Sequence, residues 1–343
     1  MGIKSKVLVS FLFYSLFIPS VSCQKKSAEW QGTISEEDGV IVVKNPKEPI
    51  YNEPLFTVEE ELVIGDAEEG EEPVFLQVRG FAIDDEENIY VLDIKAAQIK
   101  IFDKNGTFLR TIGKKGQGPG ELSIPINNQI TVQNEIIVQD IGHFSVYSLK
   151  GDFLKTISTA KLNIGPSRFD NDGNIYGIAI GVDAENRLYE LKKFTSDQEY
   201  LYALDSSPLP KDGEWDLFFF LIRYRLRDDD CVIAGYPVDY VIKIFSPEGT
   251  LITKIEKDYD PVEITQEEID KAKSELQKEF LQGREIVVPK YYPAYQAFGC
   301  DEKNRMYVGT FEKTEDGKGF FYDVFNEEGK YINKLPLNIR PWV

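Results

Sequence analysis

The chain has 343 residues, 42% of them hydrophobic and 13% aromatic, enough for a large core in one or two domains. Lys and Arg number 39 against 58 Asp and Glu, giving a formal net charge of -19. A field of that sign repels nucleic acid, whose affinity rests on phosphate neutralisation, and no basic patch offsets it, so nucleic acid is excluded as a partner and the acidity reads as solubility.

The N-terminus carries Lys4 and Lys6 and then a mostly apolar run from Val7 to Val21. This is the pattern of a secretory signal peptide over residues 1–22, and the run is too short to span a bilayer. Lys6 stands where an N-myristoylation motif needs Ser or Thr. Ser20-Val21-Ser22-Cys23 resembles the lipobox of bacterial lipoproteins, although Ser20 stands where Leu is preferred. The resemblance implies acylation of Cys23, a polar tether over residues 23–36, and attachment to the membrane through the lipid alone. Gln24 is not Asp, which under enterobacterial sorting rules directs a lipoprotein to the outer membrane.

Val40-Ile41-Val42-Val43, Leu55 to Val58 and Leu62 to Gly65 read as strands outside any complete unit. Gly80 to Gly113 is a complete one. Phe81 to Ile83, Ile89 to Leu92, Gln98 to Phe102 and Phe108 to Ile112 form four short strands, with Asp84 to Asn88 and Asp103-Lys104-Asn105-Gly106 as turns. The pattern recurs over residues 130–157, 168–204, 226–255 and 297–335. Four antiparallel strands per repeat indicate the blades of a β-propeller. The incomplete strands before Gly80, joined by the C-terminal residues 337–343, would supply a sixth blade and close the ring. The expected fold is therefore all-β: one domain over residues 37–343, with six four-stranded blades, five or seven being the alternatives, and one helical insertion near 265–282.

The first unit resembles an NHL repeat, with its acidic turn, Ile89-Tyr90-Val91-Leu92-Asp93, and the hairpin from Ile99 to Gly106. Over about residues 37–337 the chain resembles six-bladed β-propeller lipoproteins of bacteria whose activity is unknown. The resemblance implies a fold rather than an activity. It also implies that Lys114 to Leu122, with glycines at 116, 118 and 120, is an interblade turn; no Gly-Lys-Ser/Thr makes it a phosphate loop.

Asp93 and Asp140 occupy the same place in successive units, as turn-holding residues or as metal or substrate ligands. Arg79 precedes the first strand and could clamp a carboxylate or phosphate at the channel mouth, or make a cross-blade ion pair. Thr265-Gln266-Glu267-Glu268 is a capping box, followed by an apolar stripe at Ile269, Ala272, Leu276 and Phe280 and a stop at Gly283. Beyond it, Arg284, Tyr291, Tyr292 and Tyr295 could stack on a sugar or grip a peptide, or pack the insertion onto the disc. Cys231 and Cys300 lie at strand–turn junctions of successive units, where a disulfide is conceivable.

His143 is the one histidine. A zinc site with several His ligands is thereby disfavoured, whereas calcium needs only carboxylates and amides. No Gly-x-Ser-x-Gly elbow is present. Two readings remain. The first is a monomeric binding or scaffolding propeller at the cell envelope, for a peptide, glycan or protein partner and without catalysis. The second is a calcium-dependent lactonase, hydrolase or lyase with a carboxylate-lined channel.

Overall fold

The computed structural model describes residues 29–65, 74–183, 186–211, 214–217, 221–275 and 285–338. The signal region with Cys23, and Arg284, lie outside the described residues. β1 (Thr33–Glu37) and β2 (Val40–Asn45) form an N-terminal hairpin. Five blades of four antiparallel strands follow. The first is β3 (Val78–Ile83), β4 (Ile89–Asp93), β5 (Gln98–Phe102) and β6 (Phe108–Ile112). The second is β7 (Asn127–Ile130), β8 (Glu135–Asp140), β9 (His143–Ser148) and β10 (Phe153–Ser158). The third is β11 (Arg168–Phe169), β12 (Ile175–Asp183), β13 (Asn186–Phe194) and β14 (Tyr200–Pro208).

After a short strand β15 (Glu214–Asp216), the fourth blade is β16 (Arg223–Leu226), β17 (Val232–Gly235), β18 (Val241–Phe245) and β19 (Leu251–Lys257). The helix α1 (Gln266–Glu275) and β20 (Glu285–Val287) precede the fifth blade, β21 (Ala297–Cys300), β22 (Met306–Lys313), β23 (Phe320–Phe325) and β24 (Tyr331–Leu337). β15 and β20 pair in parallel, joining the connection before the fourth blade to the one after it. No helix among the described residues is long and apolar enough to cross a membrane.

The period of two along each strand explains the stacking. Tyr90 and Leu92 of β4 pack on Ile136 and Val138 of β8, and the alternate Ile137 packs on Phe169 and Ile175 of the third blade. Tyr176 then meets Val232 and Ala234 of the fourth, whose alternate Ile233 meets Phe298, Met306 and Val308 of the fifth. A strand buried on both faces loses its polar alternation, and all five residues of β4 are accordingly buried.

The expected sixth blade is not there among the described residues, which form five. Val40 to Val43 lies in β2, which adds in parallel to the outer edge of β19 as a further strand of the fourth blade. Residues 55–65 pair with no strand. They run as a strap, because Pro54 and the exposed run Glu59-Glu60-Glu61 suit neither ladder pairing nor a doubly buried sheet. The strap nevertheless fills the sixth blade's role. Leu62 and Ile64, with Val74 and Phe75, cover the outer-facing Ile89, Val91 and Phe102 of the first blade. Phe56 covers Tyr322, Val324 and Leu335 of the fifth. Among the described residues, therefore, the first and last strands do not share a blade: β2 joins the fourth and β24, which ends at Leu337, closes the fifth, while residues 339–343 lie outside the described residues.

Two buried asparagines hold the strap. Asn45 donates to the carbonyls of Glu256 and Gly329 and accepts from Tyr331 N and Trp30 Nε1. Asn333 donates to the carbonyls of Tyr51 and Glu53 and accepts from Leu55 N. The backbone adds Ile50 N to Tyr331 O and Tyr51 N to Ile332 O.

The helix begins as its capping box requires. Glu268 accepts from Thr265 N at 3.0 Å and from Thr265 Oγ1 at 2.8 Å. Ile269 and Ala272 are only half-buried, and Leu276 and Phe280 lie outside the described residues. Cys231 and Cys300 are both free thiols, so the conceivable bridge is not formed.

If the strap completes the ring, Asn333→Ala, which removes three bonds to the strap's half-buried backbone and empties a fully buried polar site, should cost at least about 2 kcal/mol in denaturant unfolding. Ile64→Ala should cost about 2–4 kcal/mol by emptying the first blade's outer face. Losses under about 0.5 kcal/mol in both would show that the strap is dispensable.

Candidate functional site

The connection from β19 to β21 is the longest between blades, and it does not close tightly over the seam it crosses. A pocket of about 360 Å³ remains there, between the fourth and fifth blades. Tyr240 and Lys257 line it from the fourth blade, Thr310, Phe311, Glu312, Asp323 and Lys334 from the fifth. The connection supplies Tyr259 to Val262, Pro293 and Ala294, and the strap supplies Lys47 and Glu48.

Its floor is a buried charge pair. Asp323 accepts from Tyr240 OH at 2.6 Å and Tyr331 OH at 2.7 Å, and Lys257 Nζ stands 3.4 Å away. The two side chains are 2% and 6% exposed, too little for water to screen them. The ammonium also lies over the rings of Tyr240 at 5.0 Å and Tyr331 at 4.6 Å, where the aromatic faces attract a cation. Burial, and then the charge of Asp323, push both phenols well above their usual pKa, so they remain donors at any physiological pH. Lys257 also donates to Asp258 O at 3.2 Å.

The rim alternates in charge and is largely paired. Lys334 reaches both oxygens of Glu312 at 2.7 and 2.6 Å, and Lys47 pairs with Asp260. Phe311 stacks on Tyr292 with centroids 4.3 Å apart and planes 8° from parallel. Beside this stack Lys313 meets Glu268 at 2.7 Å, tying the helix to the fifth blade. Burial pushes Glu268 up, but Lys313 and the N–H and hydroxyl of Thr265 outweigh it and hold the carboxyl down at about 2.

The residues singled out in sequence are dispersed. Asp93 is buried and accepts from the backbone N–H groups of Leu76, Gln77 and Ala96. Asp140 is buried and accepts from Ser123 N and Oγ, Ile124 N and Ile141 N. Both carboxylates hold the entry of their blade's first strand. Arg79 is exposed on a bulge in β3, with no ion pair among the described residues.

Tyr295 is not at a ligand surface: it is fully buried in the core between the fourth and fifth blades and donates to Val241 O at 3.1 Å. Its apolar neighbours Tyr240 and Phe298 draw it inward. Tyr292 is half-buried on Phe311, its phenol pushed up to about 12 by burial and by Glu268. Tyr291 stays exposed, with Lys290 over its ring at 4.8 Å.

The glycine-rich loop spends its amides internally: Gly118 N donates to Glu121 Oε2, and Lys114 pairs with Glu121 at 2.9 Å. The acidic turns do likewise: Asp84 accepts from Glu86 N, Asn88 N and Nδ2, and Tyr90 OH. His143 opens β9 opposite Asp140. Among the described residues no three His, Cys, Asp or Glu side chains stand together as a metal site would need.

Lys257 and Asp323 escaped the sequence reading because each sits in an ordinary strand pattern, and Tyr240 because it stands in the bend just before one. The available signal was a charged residue inside the apolar run Phe320 to Phe325, where a doubly buried strand has no place for an unpaired carboxylate. Asp323→Asn should therefore cost about 3–5 kcal/mol by leaving Lys257 buried without a counter-ion. Adding Lys257→Met should recover part of the loss in a double-mutant cycle. A cost below about 1 kcal/mol for the single change would contradict the buried pair.

Comparison with known proteins gives the family. No curated protein matches the sequence. In structure the chain is similar to a Bacteroides fragilis protein described as exported, at 13% identity and TM-score 0.49, covering 86% of this chain and 80% of that one. It is similar to a Bacteroides vulgatus member of the DUF4221 family at 11% identity and TM-score 0.43, covering 77% and 82%. It is also similar to virginiamycin B lyase of Staphylococcus aureus at 10% identity and TM-score 0.42, covering 77% and 85%. At such identities and scores the likeness carries no activity. Residues 81–340, from the first blade through the fifth, match the domain of unknown function DUF4934, and the chain belongs to that family.

Proposed function

We propose that this protein is a non-catalytic binding propeller of the cell envelope, tethered through an acyl group on Cys23, which takes a glycan or peptide in the pocket between its fourth and fifth blades. The observation that carries this reading is the state of the pocket's charges. Asp323 already accepts from two phenols and faces a lysine, so it has little capacity left to act as a base or metal ligand. Lys334 with Glu312 and Lys47 with Asp260 are likewise paired at the rim.

What remains suits recognition. Hydrogen-bonding groups of both signs ring the opening, beside the aromatic side chains of Tyr259 and Phe311. Sugars and peptides present the matching alternation of polar edges and apolar faces, and a ligand of no net charge would disturb none of the existing pairs. A glycan fits the mixed rim best. The calcium-dependent alternative needs converging carboxylates, and the described residues offer no such set.

Glycan and peptide arrays probed with the purified protein should yield a saturable ligand. Tyr259→Ala and Glu312→Gln should each weaken its binding about tenfold, a change of about 1.4 kcal/mol, with the fold retained. Failure of every glycan and peptide to bind, or undiminished binding by both variants, would overturn the proposal.

A further inference from the structure

The pocket between the fourth and fifth blades is lined by seven charged side chains, and six of them are matched one to one. Lys257 faces Asp323 at 3.4 Å on the floor, Lys334 reaches Glu312 at 2.6 Å, and Lys47 pairs with Asp260. The seventh is Glu48, which makes no ion pair among the described residues. The lining therefore carries one negative charge more than it neutralises.

The backbone holds Glu48 at the rim. Asn45 O accepts from Asp258 N on one side of it, and Ile50 N donates to Tyr331 O on the other. Pro46 and Pro49 bracket Lys47 and Glu48, and their rings fix φ at both positions. The lysine beside Glu48 is already engaged. Its hydrogen bond to Asp260 raises the pKa of Lys47, partial desolvation opposes the rise, and the charges of Asp260, Glu48 and Glu312 add to it. One ammonium thus feels three carboxylates, and the field at this corner is negative. The floor shows what surrounds a cation here: Lys257 sits between a carboxylate and the rings of Tyr240 and Tyr331. At the opening the same pocket presents Glu48 with the rings of Tyr259 and Phe311.

We propose that the ligand of this pocket carries a primary ammonium group, which docks on Glu48. The inference rests on the reading of the pocket as a binding site and narrows it, from glycans and peptides at large to an unacetylated amino sugar or a peptide amine. A singly cationic ligand leaves the three existing pairs intact, as a neutral one does, and also neutralises the fourth carboxylate through a charge-assisted hydrogen bond. An anionic ligand would add to the excess instead.

The test is calorimetric titration of the intact protein with ligands in matched pairs, at a pH where the amines are protonated. One pair is a glucosamine oligosaccharide and its N-acetylated form; the other is an alanine oligopeptide with a free and with an acetylated N-terminus. In at least one pair the amine should bind about tenfold tighter, the contribution of one charge-assisted hydrogen bond. The pair that responds tells an amino sugar from a peptide. Added salt should shrink the preference. Glu48 is exposed, so its variants should fold: Glu48→Gln should abolish the preference, and Glu48→Lys should reverse it. Glu302→Gln, which removes the same charge from an exposed turn of the fifth blade, should bind as the parent does. Equal binding of amine and acetylated forms, or a preference that survives Glu48→Gln, would overturn the inference and leave the pocket a binding site. Absence of binding by every member of both pairs would also overturn it, with the glycan and peptide arrays deciding the wider reading separately.

Discussion

A thin sheet with two apolar faces must cover both, and in a ring of blades every face but two is covered by the next blade. Here the two left over are the outer-facing side of the first blade, with Val91 and Phe102, and that of the fifth, with Val324 and Leu335. Neither can be left to water, and the described residues hold no sixth blade to place between them. The strap resolves this with side chains alone: Phe56 on one face, Leu62 and Ile64 on the other. Asn45 and Asn333 supply the hydrogen bonds that a paired strand would have made.

The same arrangement positions the pocket. Asn45 ends β2 against the seam of the fourth and fifth blades, so Lys47 and Glu48 reach the pocket rim as the strap departs. The floor is set from below by the packing of Tyr240, Tyr295, Phe325 and Tyr331, which buries Asp323 and Lys257 and forces them to satisfy one another. The roof is the long connection carrying α1, held at Glu268 by Lys313. Closure of the ring and shape of the pocket therefore share residues, and a change in the strap's clamp at Asn45 would be felt at the rim.

The blades were legible because their signals are local. Alternation in Gln98 to Phe102, the Asn105-Gly106 turn and the acidic turn from Asp84 each act within a few residues. The capping box at Thr265 was legible for the same reason. The blade number was not, since Val40 to Val43 has strand composition and only its partner decides its place: it chose the outer edge of β19 rather than strands of its own. The pocket floor was hidden in the same way. Asp323 and Lys257 are far apart in sequence and meet only because blades stack. Tyr295 was misplaced because an aromatic after a helix looks the same whether it faces ligand or core.

The central claim is that the strap is an integral part of the ring and not an appendage. Native-state hydrogen exchange at the amides of Ile50, Tyr51 and Leu55, which donate to Tyr331 O, Ile332 O and Asn333 Oδ1, tests it directly. These amides are predicted to open with the same free energy as those of β23 and β24 in the fifth blade, as members of one cooperative unit. Exchange at near-unprotected rates while the fifth blade stays protected would contradict the account.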